Sequence, residues 1–376
     1  MKILYLSNSI IPSRSANSIH VMRMCNALSK NKHQVTLIAP SRDNYYEKNI
    51  NNIFNYYGVK KSFKVKKLWY PDIKGGVFFY ILSIFAYLIF NRQFDIVYSR
   101  FLHGCYVALF VANQVYFEAH TPIYKESFLN LIIFKRIIKN KKFKKLIVIS
   151  NALKKKYLKK KFLNKDLIQV AHDGADKIKK INKKKKLLGI DGNLKVGYVG
   201  HLYKGKGVEI IKSVANKIND SVEFHIIGGT EKDLEYWKKR INKKNVFFYG
   251  FVSPKNVSKY IDAIDVCMLP NQKIVYAHGA NKNGFNISEF TSPLKLFEYM
   301  AHKKAIIASN LPVLKEVLNE KNSILVDCAN INGWINSIKK LQDPKKRQKL
   351  GNQALKDLNR YLWINRANNI LRLKNK

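Results

Sequence analysis

Short apolar runs alternate with helix-length segments along almost the whole chain, and this rhythm limits the fold more than any other feature. "KILYLS", "QVTLIAP", "FDIVYSR", "QVYFEA", "KLIVIS" and "LIQVAH" read as strands in the first half. "LKVGYVG", "VEFHIIG", "NVFFYG", "DVCMLP", "KAIIAS" and "NSILVD" do so in the second. Most are separated by enough residues for a crossover helix. The pattern predicts an α/β protein with doubly wound parallel sheets covered on both faces. It breaks once, at "HDGADKIKKINKKKKLLGIDGN", a polar, lysine-rich stretch flanked by glycines. That break predicts an N-terminal domain over 1–172, a linker over 173–193 and a second domain over 194–359. Ligands of such sheets bind beyond the carboxyl ends of the strands, so the space between two such domains is the expected site.

The 376 residues suffice for two ordinary domains, and 47% of them are hydrophobic, which excludes a disordered chain. Cys25, Cys105, Cys267 and Cys328 lie far apart, with no metal-ligand or redox spacing, as in a reducing compartment. "MKILYLSNSIIP" is interrupted too soon by polar residues for a signal peptide. Residues 75–91, "GGVFFYILSIFAYLIFN", carry no charge but fall short of the roughly 20 residues that span a bilayer. They predict a buried or membrane-surface helix.

The formal charge is +44, from 69 basic and 25 acidic residues. Residues 1–170 hold 30 basic and 7 acidic groups, a net of +23, which leaves about +21 for the remainder. An excess spread this evenly is a bias of the whole chain, not a nucleic-acid footprint. One stretch exceeds it: from Ser127 to Lys165 there is no acid. Its segment "NALKKKYLKKKFL" sets Leu153, Tyr157, Leu158 and Phe162 at helical spacing on a cationic helix. Two readings stand side by side, an anionic membrane surface and packing of the stripe on the core.

"GHLYKGKG", 200–207, resembles a P-loop with Gly207 where Ser or Thr should stand. Glycine offers no hydroxyl to a magnesium ion, which argues against an ATPase. The loop still joins a strand to a helix N-terminus, where free amides and the helix dipole favour an anion, and Lys206 adds a full charge. A second such place is "EFTSPLKLFEYMAHKKAIIAS", 289–309. Ser292 reads as an N-cap, Pro293 as the first helical residue, and Thr291 and Lys295 flank the free amides. Glu298, about one and a half turns in, could accept two sugar hydroxyls.

Taken together, these stretches resemble the donor domain of retaining nucleotide-sugar glycosyltransferases of family 4 (group 1), which have the GT-B fold of two Rossmann-like domains. "GHLYKGKG" is similar to the family's G-R-L-x-x-x-K-G, with Lys206 on the lysine that contacts the donor diphosphate. "SPLKLFEYMAHKKAIIAS" resembles the stretch around the family's E-x7-E, with Glu298 on the second glutamate, which binds the ribose. "YGFVSPKNVSKYIDAIDVCMLP" resembles the segment between, which implies base contacts by the backbone of Gly250 and Val252, with Gly228 nearby. In the first half, "VYFEAH" resembles the strand that ends in a site histidine, here His120. "YLWINRANNILRL" resembles the terminal helix, here 360–376, that crosses back onto the first domain.

Three departures stand out. His201 replaces the family arginine, with Lys204 close enough to compensate. Phe290 stands where the first glutamate is expected, with Glu289 one residue away, which leaves Thr291, Ser292 and the amides of Leu294 and Lys295 to hold the sugar and diphosphate. "SANS" replaces the usual glycine pair, so Asn17 and Ser18 present the first helix to the phosphate.

The resemblance implies transfer of a sugar, with retention, from a nucleotide diphosphate-sugar to a lipid-linked or surface-polysaccharide acceptor. His120, Lys206 and Glu298 would be the catalytic groups, and neither metal nor cofactor would be needed. The acid-free stretch and residues 75–91 place the expected enzyme on the cytoplasmic, anionic face of a bacterial plasma membrane. A nucleotide-sugar 2-epimerase of the same fold is the enzyme alternative. A basic nucleic-acid binder is the other, although the chain has no recognised nucleic-acid motif.

Overall fold

The computed structural model describes residues 1–178, 185–276 and 285–371. The chain divides into two compact units, Met1–His172 with Trp363–Lys376, and Asp173–Leu362.

The first unit runs β1 (Lys2–Leu6), α1 (Ala16–Lys30), β2 (Gln34–Pro40), α2 (Ile53–Tyr57), β3 (Lys64–Leu68), α3 (Gly76–Phe90), β4 (Ile96–Ser99), α4 (Leu102–Val111), β5 (Val115–Ala119), α5 (Phe128–Lys139), β6 (Phe143–Val148), α6 (Asn151–Lys159) and β7 (Ile168–Val170). Its sheet is wholly parallel, in the order β3-β2-β1-β4-β5-β6-β7. Right-handed crossovers put α1 and α2 on one face and α3 to α6 on the other. The contacts agree: α3 packs on α4, and α4 on α5.

The second unit runs β8 (Leu194–Val199), α7 (Val208–Ala215), β9 (Val222–Ile227), α8 (Glu231–Lys238), β10 (Val246–Gly250), α9 (Pro254–Ala263), β11 (Val266–Leu269), α10 (Leu294–Ala301), β12 (Ala305–Ser309), β13 (Ile324–Val326), α11 (Ile331–Lys340) and α12 (Pro344–Leu358). Its six parallel strands follow the order β10-β9-β8-β11-β12-β13. The chain then returns to the first unit as α13 (Trp363–Leu371), which packs on α1.

Strand composition explains the layering. All six residues of β9 are buried, as are all four of β11, which two covered faces require. The core of the second unit gathers Trp334, Tyr198, Phe224 and Ile226 between sheet and helices. β3, "KVKKL", escapes the sequence reading because it is an edge strand whose lysines face outward.

Two expectations change. The expected linker lies partly outside the described residues, at 179–184, and its described parts belong to the second unit. There the Ala175 amide donates to the Tyr361 carbonyl at 3.2 Å, and the Ile190 amide to Glu223 Oε1 at 2.6 Å. The returning helix starts at Trp363 rather than 360, and 372–376 lie outside the description.

The cationic segment forms α6, and its stripe is used in the core. Leu153 and Tyr157 are fully buried, and Phe162 packs on Tyr124 and Phe134. The apolar face left in the open is that of α3, where Phe78, Leu82 and Phe90 are exposed. Among the described residues no helix is long and apolar enough to cross a membrane.

Candidate active site

In both units the candidate residues gather at the carboxyl ends of the strands, where parallel sheets bind ligands. In the second unit the loop 200–207 leaves β8 and enters α7. Tyr198 hydroxyl donates to the His201 carbonyl at 2.7 Å and Trp237 Nε1 to the Leu202 carbonyl at 2.8 Å, which pins the middle of the loop. Gly207 has φ 96°, and a Cβ there would collide with the Pro270 carbonyl. Serine or threonine is excluded at this point by space as well as by backbone conformation. Gly200 is similarly constrained: a Cβ would strike the Lys295 ammonium, which lies against the loop.

α10 reaches the same place. Its Tyr299 hydroxyl accepts the Val199 amide at 2.9 Å, tying the helix to the end of β8. Lys295 and Glu298 share a face of α10, three residues apart. Lys206 and Lys295 are partly buried, and neither has a carboxylate within ion-pair distance among the described residues. Burial, and then the like charge of Lys295, push the Lys206 ammonium down to about 7. Burial also lowers Lys295, and Glu298 pulls it partway back. Two cations face one loop, and Lys295 lowers the tendency of Lys206 to stay charged, an arrangement that an anion would relieve.

The other predicted residues fall into place unevenly. His201 is partly buried beside the Tyr203 ring, and Lys204 is exposed. The Gly228 amide donates to the Gly250 carbonyl at 2.7 Å, so these two adjoin at the ends of β9 and β10, with the partly buried Val252 just beyond. Leu294 and Lys295 begin α10, where amides lack an acceptor within the helix. Ser292 differs from expectation. Pro293 occupies the N-cap, and Ser292 Oγ accepts the Asp173 amide at 2.9 Å, so this hydroxyl does not cap α10. The Thr291 amide is likewise engaged, by the Ile287 carbonyl at 2.9 Å. Phe290 is in the core and Glu289 is exposed. Within the loop 271–288, residues 277–284 lie outside the description.

In the first unit Asn17 and Ser18 open α1, but Ser15 caps the helix by accepting the Ser18 amide at 3.2 Å. The Ser18 hydroxyl donates to the Ser13 and Ser15 carbonyls. Ser18 is therefore spent on its own turn and does not offer its amide to a phosphate. Asn17 Oδ1 is buried and has no hydrogen-bond partner among the described residues.

His120 follows β5 and is joined to a buried carboxylate that the sequence did not single out. Glu118 Oε1 lies 2.6 Å from His120 Nε2, 3.0 Å from His20 Nε2 and 2.9 Å from Arg366 Nη2, and Glu118 Oε2 accepts from the Tyr98 hydroxyl. Burial would raise the Glu118 carboxyl, but Arg366, then His20 and His120, outweigh it and hold it well below the usual carboxylate range. Burial first, and then Arg100, lower His120 to about 4 against the pull of Glu118, so its ring is neutral near pH 7. A neutral His120 whose Nε2–H is given to Glu118 presents Nδ1 as an acceptor. Glu118 and Arg366 are 248 residues apart, so only the "E-x-H" spacing at the end of β5 could have hinted at the first of them.

A cavity of about 680 Å³ opens at the opposite, amino-terminal end of the second sheet, near Lys195, Asp265 and Lys304. Two of its charged groups are already engaged: Lys304 Nζ donates to the Asp262 and Ile264 carbonyls, and Asp265 accepts the Lys195 amide at 2.9 Å. It is separate from the candidate site.

Comparison with known proteins agrees with this geometry. The model of Glycosyltransferase Family 4 matches residues 18–177, and that of Glycosyl transferases group 1 matches 193–343. Between them the two take in most of both units. The chain belongs to glycosyltransferase family 4. As a family 4 glycosyltransferase it is similar to an uncharacterized glycosyltransferase of Methanocaldococcus jannaschii, 25% identical over 285 residues, 73% of this chain and 67% of that one. It also resembles a putative teichuronic acid biosynthesis glycosyltransferase of Bacillus subtilis, 27% identical over 119 residues, 31% of this chain and 27% of that one. The Anabaena protein HepE, solved with UDP and glucose, shares the fold at a TM-score of 0.69 and 16% identity, with 98% of each chain covered. The two parallel sheets are those of the GT-B fold, as the sequence reading expected.

Proposed function

We propose that this glycosyltransferase moves a sugar from a nucleoside diphosphate-sugar to a glycan or glycolipid acceptor with retention, without a metal. The observation that carries the reading is the pair of partly buried ammonium groups, Lys206 and Lys295, held at the loop 200–207 with no carboxylate in ion-pair contact among the described residues. As the bond from the anomeric carbon to the diphosphate breaks, its electron pair stays on the diphosphate oxygen. Both lysines and the first-turn amides of α10 are arranged to take that charge, which in this reading supplies what a metal would otherwise provide. The acceptor hydroxyl forms the new bond to the anomeric carbon, and its proton passes to the leaving diphosphate oxygen. Glu298 holds the ribose, and neutral His120 accepts from a sugar hydroxyl. The UDP and glucose bound to HepE support a nucleotide-sugar donor. The teichuronic acid relative, together with the open apolar face of α3, supports a surface-glycan or lipid-linked acceptor at the inner face of the plasma membrane.

The test is a panel of nucleotide sugars screened by thermal shift, followed by transfer assays with and without chelator. Lys206→Ala is expected to abolish the donor-induced shift and to lower kcat/KM about 10²- to 10³-fold, the usual effect of deleting one group that stabilises a developing anion. A variant that keeps full donor affinity and activity would refute the assignment. The anomeric configuration of the product, read by NMR, decides retention, and isomerised free nucleotide sugar in place of transfer would mark an epimerase.

A further inference from the structure

α3 is built the wrong way round for a helix that only covers a sheet. Its 15 residues contain no charge and little polarity. A helix on one face of a sheet needs a single apolar stripe, and α3 buries that stripe with Tyr80, Ile84 and Leu88. The opposite side is apolar too. Phe78 is 58% exposed and Phe90 85%, with Leu82 and Ile89 between them at helical spacing. Phe110, at the end of the neighbouring α4, is 63% exposed and in ring contact with Phe85, so it extends the patch sideways. Trp69, 60% exposed, packs on Phe79 at the amino-terminal end. A contiguous surface of this kind in a soluble unit marks an interaction site rather than chance exposure.

The charges around it indicate what covers it. On the same side of the sheet, α5 and α6 carry exposed Lys135, Arg136, Lys139 and Lys155. From residue 127 to 165 there are fourteen Lys or Arg and no Asp or Glu. A second copy of the chain would bring an equally basic layer against this one, so self-association here is opposed by like charge. The length is equally telling: 15 helical residues rise about 22 Å, short of the roughly 30 Å of a hydrocarbon core. An apolar helix face beside a cationic, acid-free layer matches a surface that is apolar within and anionic at its boundary.

We propose that the α3–α4 face of the first unit lies on an anionic lipid bilayer, with Phe78, Leu82 and Phe90 inserted at the acyl boundary and the cations of α5 and α6 against lipid headgroups. This rests on the reading of the chain as a membrane-surface glycosyltransferase and names the surface that makes it one. The apolar stripe on α6 that the sequence offered for this purpose is not used, since Leu153 and Tyr157 are buried. Aromatic Trp69 sits at one end of the patch, where an amphipathic ring suits a headgroup boundary.

The chain carries its own reporter. Of its four tryptophans, Trp237, Trp334 and Trp363 are buried and Trp69 is exposed. The full chain is mixed with vesicles of phosphatidylcholine alone or with phosphatidylglycerol, some with brominated acyl chains, and followed by flotation and tryptophan quenching. Binding is expected only with the anionic lipid, weakening as salt rises, with brominated chains quenching the Trp69 emission. Phe78→Ser/Leu82→Ser/Phe90→Ser is expected to weaken partitioning about thirtyfold or more, given the apolar area removed. Lys135→Glu/Arg136→Glu/Lys139→Glu is expected to abolish the dependence on anionic lipid. The donor-induced thermal shift of both variants is expected to match the parent, which shows that the fold and donor site are intact. Undiminished flotation of the serine variant, or loss of a dimer in place of any change in flotation, would overturn the proposal. A parent that floats as described but shows no shift with any nucleotide sugar would leave this surface standing and refute the glycosyltransfer reading instead.

Discussion

The two units each hold a cluster of sequestered charge, and the clusters are opposites. In the first, Glu118 is surrounded by Arg366, His20, His120 and Tyr98, with His20 Nε2 3.0 Å away and the other three hydrogen-bonded to it. In the second, Lys206 and Lys295 share a loop with no carboxylate in ion-pair contact among the described residues. Desolvation acts on both, yet the results diverge. Glu118 remains ionised because the compensating charges are built into the chain. Lys206 drifts toward neutrality because burial and the like charge of Lys295 act on it with no carboxylate in ion-pair contact among the described residues. A satisfied buried charge fixes a structure, whereas an unsatisfied one is held ready for a ligand of the other sign.

Arg366→Met should separate the clusters most widely. It leaves Glu118 buried without its main counter-ion, and the expected loss is about 3–5 kcal/mol, read by urea denaturation. Adding Glu118→Gln should restore part of it. Lys206→Met should do the reverse, raising the stability of the ligand-free protein by about 1 kcal/mol while removing donor binding, as expected where a strained site is relaxed. If both substitutions destabilised alike, the contrast would fail.

Proton linkage sharpens the same contrast. Lys206 titrates lower in the folded chain than in the unfolded one, so between about pH 7 and its unfolded value the unfolded chain binds more protons and stability rises with pH. The advantage of Lys206→Met should therefore be largest at pH 7 and below, and shrink toward pH 10. Donor affinity should move the opposite way, weakening as pH rises above about 7 in the parent, by up to about tenfold per unit. Isothermal titration across buffers of different ionisation enthalpy would also detect proton uptake on donor binding. The smallest effect is expected of His201→Arg. A permanent charge beside the loop should strengthen donor binding by about two- to tenfold at pH 8, measured by the same titration, with apo stability nearly unchanged.

The features legible in the sequence were those with a local cause. Strands left apolar runs, and twelve of them were visible; β3 was not, because its lysines face solvent at an edge. The loop 200–207 was legible because strand, glycines and helix are adjacent in the chain. Where a side chain had a distant competitor, local chemistry misled. Ser292 looked like a cap, but the Asp173 amide, 119 residues away, claims its hydroxyl. Ser18 looked available until Ser15 took its amide. The cationic helix α6 showed its stripe correctly, yet the sequence could not tell that Phe134 and Tyr124 would cover it while α3 stayed bare. The node at Glu118 was invisible for the same reason, since its counter-ion arrives from the far end of the chain.

That late arrival orders events during synthesis. The second unit is one continuous stretch of chain and can close as soon as it has left the ribosome. The first unit, although made first, waits with Glu118 uncompensated until α13 brings Arg366 to it. A chain cut after Leu362 should therefore show a protease-resistant second unit beside a first unit that is readily digested, and α13 supplied as a separate peptide should restore protection. A helix translated after the second unit acts as a latch on the unit translated before it.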